Sequence, residues 1–291
     1  MRKIIAIAFL VVLPSWLSAA EFETRKDLEY AAKDGESLKL DAYLVQGPGV
    51  HPALIYIHGG GFTTGDKSGM PGGWPDIFAL LIEARISVIS INYRLAPQHP
   101  YPAATDDVQS AIAYVKKHAS DLRVDPDRLA LMGESAGGMI SSHAGVKYPP
   151  GNKVAAVVSF FAEHDFQLRV TEDPCAMDGY TVPRPAGGCI SGGMAAFFGF
   201  DKLDPSHEAT LRDASCVTHV HADMPPYLLI HGTRDYGVPI EQSHSMQQSM
   251  HCVGAECKLV AIVGGGHGGW NQPEQIHYKK TMVSWLSEKL K

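Results

Sequence analysis

Leu129-Ala130-Leu131-Met132-Gly133-Glu134-Ser135-Ala136-Gly137 runs from four apolar residues directly into a G-x-S-x-G pattern. An apolar run of that kind reads as a strand buried on both faces. A serine on the sharp turn that follows holds its hydroxyl out at the top of a sheet, within reach of a base. A side chain at Gly133 or Gly137 would crowd such a turn, which accounts for the two glycines. Taken alone the pattern is not specific, because Gly, Ser and Ala are common in loops. Its meaning depends on what surrounds it.

Outward from this segment the chain alternates between two periodicities. Residues 53–57, 86–91, 154–161, 227–230 and 259–263 are short, mostly apolar runs, most of them bounded by Gly, Pro, Asn or Asp. Residues 38–44 alternate imperfectly between apolar and polar, as an early antiparallel strand would. Between the runs, Val108, Ile112 and Val115 share one helical face, as do Met282, Leu286 and Leu290. Strands alternating with helices predict an α/β fold with a mostly parallel central sheet and helices on both faces. Residues 162–224 break the alternation. Their periodicity is weak, and they carry Cys175, Cys189, Cys216 and a Gly/Pro-rich stretch at residues 179–188. They predict a lid-like insertion containing short helices and forming a pocket wall.

The first twenty residues read differently from the rest. Arg2 and Lys3 precede an apolar stretch at residues 4–13, and Ser18-Ala19-Ala20 is a small-residue exit. This predicts a secretory signal peptide cut after Ala20 and export to the periplasm or beyond. Residues 21–291 then form one domain, long enough for a sizeable core. The apolar stretch is too short to span a bilayer and no later stretch approaches a span, so no stable membrane insertion is expected after cleavage. The formal net charge is −6, and no block of Lys or Arg suggests a nucleic-acid partner. Nothing in the sequence sets an oligomeric state. Five cysteines remain in an exported chain that can keep disulfides. Closeness in sequence suggests Cys175–Cys189 and Cys252–Cys257 and leaves Cys216 over, with other connectivities and five free thiols both open.

Three further segments carry chemistry. His58-Gly59-Gly60-Gly61-Phe62 follows the apolar run at 53–57. Backbone N–H groups there can turn toward a ligand. Serine-mediated ester cleavage passes through a negative tetrahedral oxygen, and each preorganised donor to it is worth roughly 3–4 kcal/mol of barrier. Gly59, Gly60 and Ala136 are the candidate donors. A phosphate loop fits less well, because the Lys-Ser/Thr ending of a P-loop is missing. A neutral serine is a weak nucleophile and needs a base, which in turn needs an acid to fix its tautomer. Asp235, past the run at 227–230, is the candidate acid, and His267, past the run at 259–263, is the candidate base. Asp165 competes for the acid role. His219 and His221 form an H-x-H pair without a matching third ligand, so no metal is expected, and no cofactor. Ser135, Asp235 and His267 each follow a strand-like run, where open α/β sheets place their sites.

With these pieces assembled, the chain resembles the α/β-hydrolase superfamily, and within it the esterases related to hormone-sensitive lipase and the compact bacterial carboxylesterases. The residues 58–62 and Gly133-Glu134-Ser135-Ala136-Gly137-Gly138 resemble the two marker motifs. Asn92-Tyr93-Arg94-Leu95-Ala96-Pro97, continuing to His99-Pro100-Tyr101-Pro102-Ala103, is a third segment of that kind. The resemblance implies a Ser135–Asp235–His267 triad and carboxylic ester hydrolysis through an acyl-enzyme. Residues 21–57, ahead of His58, read mainly as strands, where the lipase relatives carry a helical cap. Gly65-Asp66-Lys67 is similar to a related group of compact esterases, some acting on acylated plant polysaccharide.

These observations converge on an exported serine carboxylesterase acting on short-chain or aryl esters. A carbohydrate esterase removing acetyl or feruloyl groups from plant polysaccharide is the alternative, so the partner is a small-molecule or polysaccharide-linked ester. Phe62 and Trp270 flank the motifs and are candidate substrate contacts, with simple core packing the open alternative for each. A peptidase on the same fold and a non-catalytic binding protein are the rivals; the first commonly carries an extra propeller domain and the second commonly lacks a triad member.

Overall fold

The alternation of apolar runs and helical patterns becomes an eight-stranded sheet in the computed structural model, which describes residues 21–171, 192–273 and 276–291. The strands are β1 (Phe22–Lys33), β2 (Glu36–Val45), β3 (His51–Ile57), β4 (Ser87–Ile91), β5 (Val124–Glu134), β6 (Ala156–Phe160), β7 (Tyr227–Gly232) and β8 (Cys257–Ile262). Their order in the sheet is β1-β2-β4-β3-β5-β6-β7-β8. β2 pairs antiparallel with both β1 and β4, and every pairing from β4 to β8 is parallel. The helices are α1 (Gly69–Gly72), α2 (Pro75–Glu83), α3 (Ala103–Lys117), α4 (Ala119–Leu122), α5 (Ala136–Val146), α6 (Phe166–Thr171), α7 (Gly192–Phe198), α8 (Glu208–Ala214), α9 (Glu241–Cys252) and α10 (His277–Lys289).

Side chains alternate across a strand, so the central strands feed two separate cores. Ala53, Ile55 and Ile57 of β3, Leu129 and Leu131 of β5, and Leu229 of β7 face the core covered by Val108, Ile112 and Val115 of α3 and Met139 and Ile140 of α5. Leu54 and Tyr56, Ala130 and Met132, and Leu228 and Ile230 face the other, covered by Ile77 and Leu81 of α2 and Met282 and Leu286 of α10. Both faces of β3 and of residues 129–133 of β5 are therefore dry, which is why their sequence reads as continuous apolar runs rather than alternation. Each fully buried Leu or Ile contributes about 1.5–3 kcal/mol relative to exposure. The fold is the expected α/β arrangement, and residues 21–57 are mainly strands.

The expected insertion between β6 and β7 contains short helices in its described parts, α6 to α8. Its stretch at 179–188, together with Cys175 and Cys189, lies outside the described residues, as does the proposed signal segment at 1–20. A Cys252–Cys257 bridge is not formed: both thiols are free, as is buried Cys216. Cys252 is exposed at the end of α9, whereas Cys257 is buried at the start of β8, so the short turn sends the two side chains into different surroundings. Among the described residues no helix is long and apolar enough to cross a membrane.

Candidate active site

The sheet order places the site. β3 has β4 on one side and β5 on the other, so successive connections diverge there and leave a crevice at the carboxyl ends of the strands. Ile57 is paired with Gly133 across this junction. The register sets the His58 loop beside Ser135 although 76 positions separate Gly59 from it.

Ser135 sits between β5 and α5 with φ 52° and ψ −121°. A non-glycine residue at such angles costs of order 1–3 kcal/mol, held here by the packing around it. The Ser135 N–H donates to the Phe160 carbonyl at 2.9 Å, and the Ser135 carbonyl accepts the Met139 N–H at 3.0 Å. The flanking glycines are sterically required. A Cβ on Gly133 would lie 2.2 Å from the Gly137 carbonyl oxygen, and one on Gly137 would lie 2.2 Å from that of Ile57.

The loops after β7 and β8 are stitched to each other: the N–H of Arg234 donates to Gly265 O at 2.8 Å and that of Gly264 to Thr233 Oγ1 at 2.9 Å. This brings His267 Nδ1 to 2.7 Å from Asp235 Oδ2 and His267 Nε2 to 2.9 Å from Ser135 Oγ. A carboxylate only accepts, so the proton lies on Nδ1 and Nε2 is left to accept from the serine hydroxyl. Oδ1 of Asp235 accepts the N–H groups of Gly237 and Val238, both at 2.9 Å. Burial would raise the pKa of this carboxyl. Hydrogen bonding to His231 and His267 and from the Val238 N–H outweighs burial and holds it well below the usual carboxylate range. It stays charged at neutral pH and can stabilise an imidazolium. His231 is fully buried and bonded to Ser243 Oγ and the Val238 carbonyl, both at 2.8 Å. Asp165 lies apart, accepting from Leu168 N at 2.9 Å and Ser245 Oγ at 3.1 Å.

Two of the sequence expectations are corrected. The Gly59 N–H donates to Glu134 Oε1 at 2.9 Å and so is not free for a developing oxyanion. Among the described residues no hydrogen bond engages the N–H groups of Gly60 or Ala136. Phe62 does not border the crevice: it is buried and stacked on Phe197 of α7, with ring centroids 4.0 Å apart. The aromatic ring spends itself on holding the insertion against the glycine loop. Trp270 does border a cleft of about 610 Å³, with Trp74, Phe161, Tyr278 and Glu134 among its other walls. Phe161 meets the His267 ring edge-on at 4.7 Å. A second cleft of about 500 Å³ shares Trp74 and Glu134 with the first and is lined also by Tyr56, Gly59 and Gly60.

Glu134, Trp74 and Phe161 are additions to the residues read from sequence. Glu134 was visible only as the variable position of G-x-S-x-G. Burial raises its pKa to about 7 from an ordinary 4.5, against opposing hydrogen bonds from the Gly59 N–H and the Tyr56 hydroxyl. The folded chain thus holds this proton more tightly than the unfolded chain. The associated stability is fully present below pH 4.5 and is lost as pH rises through about 7. Glu134→Gln should gain on the wild type by up to about 3 kcal/mol between pH 4 and pH 8, read from denaturant midpoints. A gap that stays constant with pH would mean that Glu134 titrates normally.

With the geometry in place, likeness to other proteins can be weighed. A family model described as BD-FAE matches residues 40–250. The chain is similar to the probable carboxylic ester hydrolase LipM of Mycobacterium tuberculosis, 32% identical over 219 residues that cover 70% of this chain and 46% of LipM. It is similar to the esterase LipC of the same organism, 28% identical over 235 residues that cover 75% of this chain and 53% of LipC. The chain thus spans about half the length of these curated relatives. Among solved structures it is similar to a truncated form of a carbohydrate esterase from gut microbiota. That likeness has 26% identity and a TM-score of 0.77, and it covers 94% of this chain and 98% of that one.

Proposed function

The chain belongs to the BD-FAE family of α/β-hydrolases, and on that premise we propose that it is an exported serine carboxylesterase. The substrates are short-chain or aryl carboxylic esters, cleaved through an acyl-enzyme. The observation that carries this reading is the unbroken hydrogen-bond chain from Asp235 through His267 to Ser135.

In the first step Nε2 of His267 takes the Ser135 proton as Oγ attacks the ester carbonyl. The charged Asp235 stabilises the imidazolium that results. The N–H groups of Gly60 and Ala136 receive the oxyanion, a role in which removing one donor typically costs 10²–10³ in rate. His267 then passes its proton to the leaving alcohol. The reverse sequence with water frees the acid and restores Ser135. Trp270, Phe161 and Trp74 supply apolar walls for the acyl or alcohol group. Export rests on the basic start, apolar stretch and small-residue exit of residues 1–20.

A second reading, in which the alcohol is a carbohydrate, is favoured by the likeness to the gut carbohydrate esterase and by two aromatic-walled clefts that share Trp74 and Glu134. One panel separates the readings. It contains p-nitrophenyl acetate, butyrate and decanoate, acetylated xylan, a feruloylated arabinoxylan fragment and a peptide anilide. Turnover is expected on acetate and butyrate above decanoate, and a higher kcat/KM on the xylan esters would select the carbohydrate reading. Cleavage of the anilide alone would overturn both in favour of a peptidase.

A further inference from the structure

We propose that Glu134 is a positioning residue that fastens the oxyanion loop to the strand carrying the nucleophile, an inference that rests on the esterase reading. Its Oε1 accepts two hydrogen bonds, from the Tyr56 hydroxyl at 2.8 Å and from the Gly59 N–H at 2.9 Å. Tyr56 belongs to β3, Gly59 to the loop that β3 launches, and Glu134 immediately precedes Ser135. One oxygen atom therefore joins the nucleophile's strand, its neighbour and the glycine next to the proposed donor Gly60.

The loop has other fastenings, but they run elsewhere. Tyr93 hydroxyl donates to the His58 carbonyl at 2.9 Å, His58 Nδ1 bonds the Gly59 carbonyl at 2.8 Å, and the Thr63 and Thr64 N–H groups both reach the Gly60 carbonyl at 3.1 Å. Among the described residues, the Gly59–Glu134 bond is the hydrogen bond that ties this loop to residues 133–137. Losing it frees Gly59 to shift relative to Ser135 and takes Gly60 with it. Misplacement by about 1 Å of a group aimed at a transition state can cost on the order of 10²-fold.

The chemistry of the carboxyl matches this role. Oε2 is buried and makes no hydrogen bond. Burial without a partner resists ionisation, so the group carries a proton for part of its time near neutral pH. With that proton on Oε2, Oε1 still accepts both bonds. The fastening needs an acceptor at Oε1 rather than a charge, and a glutamine provides one.

The test uses the full chain with p-nitrophenyl butyrate. Rates are normalised to Ser135 sites counted by fluorophosphonate titration, so that misfolded protein drops out. Glu134→Ala should lower kcat about 10- to 100-fold with KM within about 3-fold, because a displaced donor harms the transition state rather than the ground state. Glu134→Gln should restore kcat to within about 5-fold of wild type. The proposal is overturned if kcat per titrated site is unchanged in Glu134→Ala, if the loss falls on KM, or if Glu134→Gln is no better than Glu134→Ala. A wild type that neither turns over the ester nor takes up fluorophosphonate overturns the esterase reading itself, and this inference with it.

Discussion

Ser135→Ala should lower kcat on p-nitrophenyl acetate by on the order of 10⁵- to 10⁶-fold while the protein remains folded. The substitution removes the Oγ that lies 2.9 Å from His267 Nε2, and with it the atom that would form the acyl bond. The buried Cys216 thiol is no substitute: it donates toward the Met139 carbonyl, and burial pushes its pKa above the ordinary thiol range. Removing the nucleophile of a serine hydrolase costs on that scale, and what remains over water comes from oxyanion donors and binding. Alanine keeps the main-chain bonds to Phe160 and Met139, so the turn survives; it also keeps the strained φ of 52°. The thermal midpoint should therefore stay within a few degrees of wild type, which separates lost chemistry from lost structure. Ester turnover in Ser135→Ala within 100-fold of wild type would mean that another group attacks the carbonyl.

The parts of the molecule legible in the sequence are those governed by short-range pattern. The central strands announced themselves because both of their faces are dry, and a parallel sheet delivers every strand's carboxyl end to one side. Ser135, Asp235 and His267 could thus be placed on a common edge before any distance was known. β1 was harder to read. It is a sheet-edge strand with mostly exposed residues, and its register shifts between Arg25 and Leu28 and again between Glu29 and Ala31, which breaks the period-2 signal. The donor set of the glycine loop was only half legible. Nothing in His58-Gly59-Gly60-Gly61 says that the first N–H is taken, because its partner is 75 positions away and arrives by strand pairing. The sequence leaves Phe62 open for a similar reason: an aromatic beside a motif fits a core or a cleft equally well. The choice was made by Phe197, which lies in a segment with weak periodicity.

Asp235→Asn should lower kcat about 10⁴-fold at pH 7, for a reason that runs through individual protons. Oδ1 of Asp235 accepts from Gly237 N–H and Val238 N–H, and a side-chain amide nitrogen cannot accept either. The asparagine oxygen is therefore pinned at the Oδ1 position, which turns the NH₂ group toward His267 Nδ1, where Oδ2 now sits at 2.7 Å. A donor facing Nδ1 demands that Nδ1 accept. The imidazole proton then moves to Nε2, where it points at Ser135 Oγ and blocks proton abstraction. The substitution is isosteric and leaves the loop's main-chain bonds in place, yet it inverts the tautomer, and a loss of about 10⁴ is the scale known for such an inversion. Asp165→Asn serves as the control. That carboxylate accepts from Leu168 N–H and Ser245 Oγ, so its variant should stay within about 3-fold of wild type. A loss of less than 10-fold in Asp235→Asn would detach Asp235 from the mechanism.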